Sequence, residues 1–425
     1  MTNENVIKAA FKVWGRDLYQ TMSLSAVAGD LGVSKTALYR HFRCKQALFD
    51  SMSNYFFDEL TAYIKDDYEK ALSAENLAES SFILIRAVSK YYLLNEDAFI
   101  FSLFQIFGSR QIGKFMSGIV SRGIDPEKLI SKAKKPFNDP ARLPFIMHIV
   151  IVSVIFWIGQ FHHFERKNKI PPGEKEILKF ISVVEDRIKR GIGFDKEKTV
   201  NLDYVRLEKI AAETLPLDTE DNVLLRAVAG AVAEAGPTRA SVKMIAARSG
   251  LAKSSLYSHF RDKQDMLDTL FLTEFTRIAS YARDNINASI IPEEQIYLGM
   301  ASIAAYLQSR PDILAILDWL RSQRVRPSPR LAAESQKVIP LIYRIITDID
   351  LPGMENDAEK KDRIAQWVLF LTVKGLIWRL ETSGKKNENL PGFPGKGKAS
   401  GFSVAPENIR VLYRFIALGL EGFLI

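Results

Sequence analysis

The side chains best suited to chemistry in this sequence are hydrogen-bond donors that occur twice, in the same order. Leu31 to Asp50 reads LGVSKTALYRHFRCKQALFD, and Ser249 to Asp268 reads SGLAKSSLYSHFRDKQDMLD. Lys35, Tyr39, His41 and Lys45 in the first stretch match Lys253, Tyr257, His259 and Lys263 in the second. A Tyr hydroxyl and a Lys at a helix N-terminus are both good donors to phosphate oxygens. Catalytic and metal-binding patterns are missing. The five histidines, His41, His148, His162, His163 and His259, form no His-x-x-x-His or Glu-x-x-His pair with nearby carboxylates. There is no phosphate-cradling Gly loop, nucleophile elbow or dinucleotide fingerprint. The single cysteine, Cys44, excludes an internal disulfide and a Cys-based metal cluster and fits a reducing cytosol. The expectation is a protein that is no enzyme and takes no cofactor and no metal.

The elements that must hold these donors follow from local chemistry. Ser23 precedes an apolar-periodic run and can cap a short helix. Ala28 is small enough for a second helix to cross closely. Gly32 supplies the positive φ that ends one helix and turns the chain. Ser34 then caps SKTALYRHF, whose Leu38 and Phe42 point inward while Lys35, Thr36, Tyr39 and Arg40 point outward. This is a helix-turn-helix, with its second helix free to enter a major groove. Cys44 stands before the next helix, where its partner Asp262 is the better cap.

The stretches LSAVAGDLGVSKTALYRHFRCKQAL and VKMIAARSGLAKSSLYSHFRDKQDM resemble the TetR (tetracycline-repressor-like) family of bacterial transcriptional regulators. Both carry its apolar-Ala pair, Gly-apolar step, Lys, Leu-Tyr-x-His-Phe and a Lys opening the next helix. The resemblance implies that Lys35, Thr36 and Arg40, with Lys253, Ser254 and Ser255, face base edges or nearby phosphates. Tyr39, His41 and Lys45, with Tyr257, His259 and Lys263, would grip phosphates; either His could instead fill space between helices. The copies differ on the outward side: Ser34 against Ala252, Thr36 against Ser254, Ala37 against Ser255, and Arg40 against Ser258.

The repetition is longer than the motif. Ser23–Asp50 and Ser241–Asp268 align without gaps at 12 identities in 28 positions. YLLNEDAFIFSL from Tyr92 resembles YLQSRPDILAIL from Tyr306 at an offset of 214, which implies a four-residue loop deletion and a repeated unit of about 200 residues. Apolar spacing predicts helix throughout, with Gly and Pro breakers between runs. The expected fold is all-α, with two tandem TetR-like units. Heads at 1–60 and 219–280 precede helical regulatory and interface domains at 61–195 and 281–425, and a linker fills 196–218. Tyr204–Thr214 has the composition of a connecting helix, and the Gly/Pro/Lys-rich Ser383–Ser403 reads as a mobile loop.

At 425 residues, 47% apolar and 25% charged, the chain has a soluble globular composition, and its net charge of +8 is only mildly basic. The N-terminus shows no signal-peptide pattern. Leu143–Phe161 carries no formal charge and reaches the lower length of a membrane span, yet Pro144, His148, Ser153 and Gln160 interrupt it. The resemblance places an interface helix there. Family members pair through two long C-terminal helices per subunit, and here each half supplies its own: Asp139–Asn168 with Gly173–Arg190, and Glu359–Thr382 with Ala405–Phe423. The expectation is a cytoplasmic intramolecular pseudo-dimer on double-stranded DNA, a repressor, with no membrane partner. Regulators of this type commonly hold a small apolar effector among aromatic helices. Tyr91, Tyr92, Phe99, Phe101, Phe104, Phe107, Tyr306, Trp319, Trp367 and Trp378 read first as core. His148, Trp157, Phe104 and Trp319 are the ligand candidates. The competing class is a ligand- or partner-binding protein of this fold that has lost operator binding in one or both heads.

Overall fold

The computed structural model describes residues 2–103, 112–132, 142–165, 173–216, 223–314, 316–317, 344, 346–382 and 406–423. Helices are the regular elements among them, and no strand occurs there. Phe104, Phe107, Trp319 and the Ser383–Ser403 loop lie outside the described residues, as do the side chains of His163 and Trp378. The chain divides into two compact units, Met1–Pro140 with Val154–Asp186, and Ala141–Ser153 with Arg187–Ile425.

In the first unit, α1 (Asn3–Thr21), α2 (Leu24–Asp30), α3 (Lys35–Tyr39) and the long α4 (Lys45–Leu72) carry the first repeated stretch. They are followed by α5 (Leu77–Leu94), α6 (Glu96–Leu103), α7 (Ile112–Val120) and α8 (Pro126–Lys132). Helices α9 (Leu143–Glu165) and α10 (Glu174–Arg190) complete the first half of the sequence. Aromatic packing makes this core. Trp14 of α1 is fully buried, stacked on Phe49 at 5.4 Å and edge-on to Phe101 at 5.3 Å, while Phe56 lies 5.5 Å from Phe101. The rings of Tyr91, Tyr92 and Phe99 are buried as well.

The division into units does not follow the expected boundary at 195. Helix α9 is apolar along most of its length and mostly buried, with Ile151 left 44% exposed. Its first part, to Ser153, belongs to the second unit, and the rest, from Val154, to the first.

The second unit also holds α11 (Lys196–Val200), α12 (Tyr204–Glu213), α13 (Val223–Arg239, kinked at Gly236, φ 79°), α14 (Val242–Ser249), α15 (Lys253–His259) and α16 (Lys263–Ile286). After these come α17 (Pro292–Ser309), α18 (Ala358–Thr382), α19 (Pro406–Leu418) and a closing 3-10 turn, Gly419–Gly422. Helices α5 and α17 are both 18 residues long and end alike. Asn95 (φ −127°, ψ 75°) donates its N–H to the Tyr91 carbonyl, and Arg310 (φ −125°, ψ 67°) donates to that of Tyr306. Tyr306 is therefore the counterpart of Tyr91, at an offset of 215 (306 − 91), and not of Tyr92 at 214. The loop deletion is three residues (218 − 215). Side-chain similarity slipped by one because Tyr91 and Tyr92 are both buried aromatics, whereas the backbone cap fixes the register.

The expected linker is built into the second unit, as far as it is described. Glu208 of α12 accepts two hydrogen bonds from the Arg410 guanidinium, each 2.8 Å, and one from the Tyr297 hydroxyl at 2.6 Å. Arg206 pairs with Glu294, and the buried Tyr281 hydroxyl donates to the Ala211 carbonyl. Tyr204 packs edge-on against Tyr297 at 4.8 Å. Helix α12 thus straps α16, α17 and α19 together.

The ends of α10 and α19 meet within the same unit. Gly191 follows α10 with φ 63°, and Gly419 follows α19 with φ 60°. A Cβ on Gly191 would sit 2.4 Å from the Ile416 oxygen, and one on Gly419 would sit 2.4 Å from the Lys189 carbonyl. Only glycine fits both the backbone angle and the approach. The Ile192 N–H donates to Ile416 O at 2.7 Å, and that of Gly193 to Ala417 O at 3.0 Å. Further along, the Trp367 indole donates to the Ser153 hydroxyl at 3.2 Å, and Gly375 opens space beside Phe145 and Leu412.

Candidate nucleic-acid interface

The two repeated stretches fold alike because the same residue types satisfy the same backbone groups. Ser23 caps α2 by accepting from Ala26 N–H at 3.1 Å, and Ser241 caps α14 by accepting from Met244 N–H at 3.2 Å. Gly32 and Gly250 take φ 65° and 71° at the turn. No atom lies within 4 Å of where their Cβ would be, so the backbone angle alone calls for glycine. Leu38 and Leu256 are fully buried, and Phe42 and Phe260 nearly so. Ser34 caps α3 through Ala37 N–H at 3.2 Å, while Ala252 leaves α15 without a side-chain cap. Asp262 caps α16, accepting from Asp265 N–H at 2.8 Å, and Cys44 makes no such bond at α4.

This scaffold brings the sequence-nominated donors to the surface. Ser34, Lys35, Thr36, Tyr39 and Arg40 are exposed, as are Lys253, Ser254, Tyr257, Ser258 and His259; Ser255 is half-buried. Tyr39 is 43% exposed and Tyr257 51%, unusual for aromatic side chains and suited to hydroxyls that reach outward. The Lys35 ammonium lies 5.7 Å from the centre of the Tyr39 ring. Lys45 and Lys263 are half-buried first residues of α4 and α16. Burial pulls both ammonium groups below the usual lysine pKa. A helix N-terminus is also the unfavourable end for a cation. Both copies keep a lysine there against both effects.

His41 and His259 differ. His41 Nδ1 is 2.6 Å from Asn3 Oδ1, which ties the turn after α3 to α1. His259 is exposed. Asn3 is a partner of His41 that the sequence does not mark, since it stands 38 positions away with no motif.

Two of the four ligand candidates lie among the described residues. His148 and Trp157 are buried, 8% and 4% exposed, and belong to different units although both sit on α9. Phe104 and Trp319 lie outside the described residues. In the second unit a cleft lined by Leu270, Phe271, Glu274, Phe275, Ile278, Ile313, Ile316 and Leu317 measures about 10 Å³, room for one water. Ligand pockets run to roughly 300–1,000 Å³, so the cleft as it stands holds no effector. Its one charged wall is a buried network. Glu274 accepts from the Tyr306 hydroxyl at 2.6 Å and from Arg310 at 2.9 Å, and Arg310 also grips Asp312 at 3.1 Å. In the first unit the aligned position is Phe56, inside the aromatic core.

Among the described residues no group of three or more His, Cys, Asp or Glu is placed to hold a metal ion. Leu143–His162 is long and apolar enough to cross a membrane by composition, but 67% of that window is buried inside the protein. A buried core helix passes the same test.

Comparison with known proteins agrees with this geometry. The family model described as bacterial regulatory proteins, tetR family, matches residues 6–52 and again 224–270. The two matches cover α1 through the start of α4, and α13 through the start of α16. No curated protein sequence matches the chain.

Proposed function

We propose that this tetR-family regulator, built from two tandem all-α units, uses both of its heads on one DNA operator as a cytoplasmic repressor. The coarse role, a DNA-binding transcriptional regulator, belongs to the matched domains. The observation that carries the finer reading is the recurrence of one surface. Each head sets an exposed Tyr and a helix-opening Lys around the same positive-φ glycine turn. Such groups position a recognition helix on the phosphate backbone.

Pairing of the two halves within one chain is supported by the end-to-end approach of α10 and α19. Each is the final long helix of its half, and each ends in a positive-φ glycine against the other's backbone. In a symmetric dimer the same patch meets itself across the axis. In this reading the mutual approach of Gly191 and Gly419 is the counterpart of that patch inside one polypeptide.

Release by a small apolar effector fits α16. This helix begins under the second head at Lys263 and carries Leu270, Phe271, Glu274, Phe275 and Ile278 along the cleft. A molecule wedged there would have to widen the cleft and tilt α16, and the head with it. The test of the reading is a titration of the purified chain against DNA flanking its own gene, beside unrelated DNA of equal length. Preferential binding in the nanomolar range at physiological salt is expected. Equal affinity for both DNAs would refute sequence-specific regulation.

A further inference from the structure

We propose that the operator is asymmetric, and that Arg40 makes the first head the more discriminating of the two. The inference rests on the reading of both heads as DNA-binding and adds what distinguishes them. Framework and phosphate-facing groups are common to the two heads: Gly32 and Gly250, Leu38 and Leu256, Tyr39 and Tyr257, Lys45 and Lys263. Four of the differences fall on the second helix and its caps: Ser34 against Ala252, Thr36 against Ser254, Ala37 against Ser255, and Arg40 against Ser258.

Arg40 is the C-cap residue of α3 (φ −69°, ψ −26°), and its side chain is exposed. Its side chain makes no hydrogen bond or ion pair with the described residues, so its forked N–H donors face outward. That fork matches O6 and N7 of a guanine in the major groove. In the second head Ser258 occupies the aligned position, inside α15, which runs on to His259. Its hydroxyl donates to the Ser255 carbonyl at 2.7 Å. With Ser254 and Ser255 beside it, the second head offers short hydroxyls. A hydroxyl donates and accepts, so it pairs with more than one base and discriminates weakly. The second head keeps Lys253 but lacks the Arg fork, so the first head is the more discriminating.

Two identical chains must present identical heads, which favours palindromic sites. One chain with two unlike heads is released from that constraint. The difference between Arg and Ser at one bidentate contact corresponds to about 5- to 150-fold in relative affinity for guanine over other bases.

The experiment is selection of binding sites from random duplex DNA with the full chain, with Arg40→Ser and with Ser258→Arg. Circular dichroism confirms that both variants, changed at exposed positions, keep the helical fold. The expected wild-type site has two unlike halves, one with a strongly preferred guanine. Arg40→Ser should relax that guanine by the stated factor and leave the other half unchanged. Ser258→Arg should add a guanine preference to the second half and make the site more symmetric. A palindromic site that Arg40→Ser leaves unchanged overturns the asymmetric operator. So does a uniform loss of affinity with unchanged preference, which would make Arg40 a phosphate contact. Failure of all three proteins to enrich any sequence would instead refute the DNA-binding reading on which the inference rests.

Discussion

Replacing Gly419 with alanine tests the close approach of α10 and α19. The backbone there has φ 60°, where an L-residue with a Cβ costs about 1–2 kcal/mol. The added Cβ would lie 2.4 Å from the Lys189 carbonyl carbon and oxygen and 2.5 Å from the Arg190 nitrogen. These are backbone atoms and cannot rotate aside, so the helix ends must separate, at about 1–3 kcal/mol for overpacking. Separation also loosens the Ile192–Ile416 and Gly193–Ala417 hydrogen bonds, worth about 1 kcal/mol each. The sum is about 4–7 kcal/mol. Gly250→Ala is the internal control, because its φ is 71° but nothing lies within 4 Å, so it should cost about 1–2 kcal/mol. Both glycines belong to the second unit, so one calorimetric transition reports both. At roughly 2–4 °C per kcal/mol, Gly419→Ala should lower that transition by about 8–28 °C and Gly250→Ala by about 2–8 °C. Equal shifts from the two variants would refute the approach.

Lys45→Ala and Lys263→Ala should each weaken binding to all DNA sequences alike and lower the slope of log K against log salt by about one, measured by fluorescence anisotropy. A relaxed sequence preference with an intact slope would contradict the phosphate role. Glu208→Gln should destabilise the second unit by about 1–3 kcal/mol at neutral pH, because Tyr297, fully buried, loses a charged acceptor. Burial raises the Glu208 carboxyl pKa, but the bonds from Arg410 and Tyr297 outweigh it, and the net shift is downward. The stabilisation is thus present above the unfolded carboxylate pKa of about 4.3 and disappears as pH falls through the lower folded value. Urea unfolding at several pH values should show wild type and variant converging in acid; a gap constant with pH would exclude the charged Glu208 as its source. Light scattering on the DNA-free protein should give one 48.0 kDa chain, and a stable mass of twice that would indicate a dimer of pseudo-dimers.

The heads were legible in the sequence because their geometry is local. Caps at Ser23, Ser34 and Asp262 and the turn at Gly32 depend on residues two to four positions apart, where side-chain type decides the backbone. What escaped was long-range. Glu208 finds Arg410 across 202 positions, so the segment taken for a linker became a strap. His41 finds Asn3 across 38. The crossing of α10 and α19 did leave a trace, since Gly191-Ile-Gly193-Phe194 and Gly419-Leu-Glu-Gly422-Phe423 end their halves alike. A Gly-Phe pair closing each half marks a backbone approach that composition alone does not show. The one-residue slip at Tyr91 and Tyr92 has a simpler cause, because two adjacent buried aromatics look equivalent until a cap fixes the register.

On this proposal one chain brings two heads to one operator. Native mass spectrometry of the protein on its best selected duplex tests it most directly. The expected complex holds a single 48.0 kDa chain per duplex, on a site with two contacted segments about one helical turn apart. Two chains on that duplex, or one chain that binds a single-segment duplex as tightly as the full site, would contradict it.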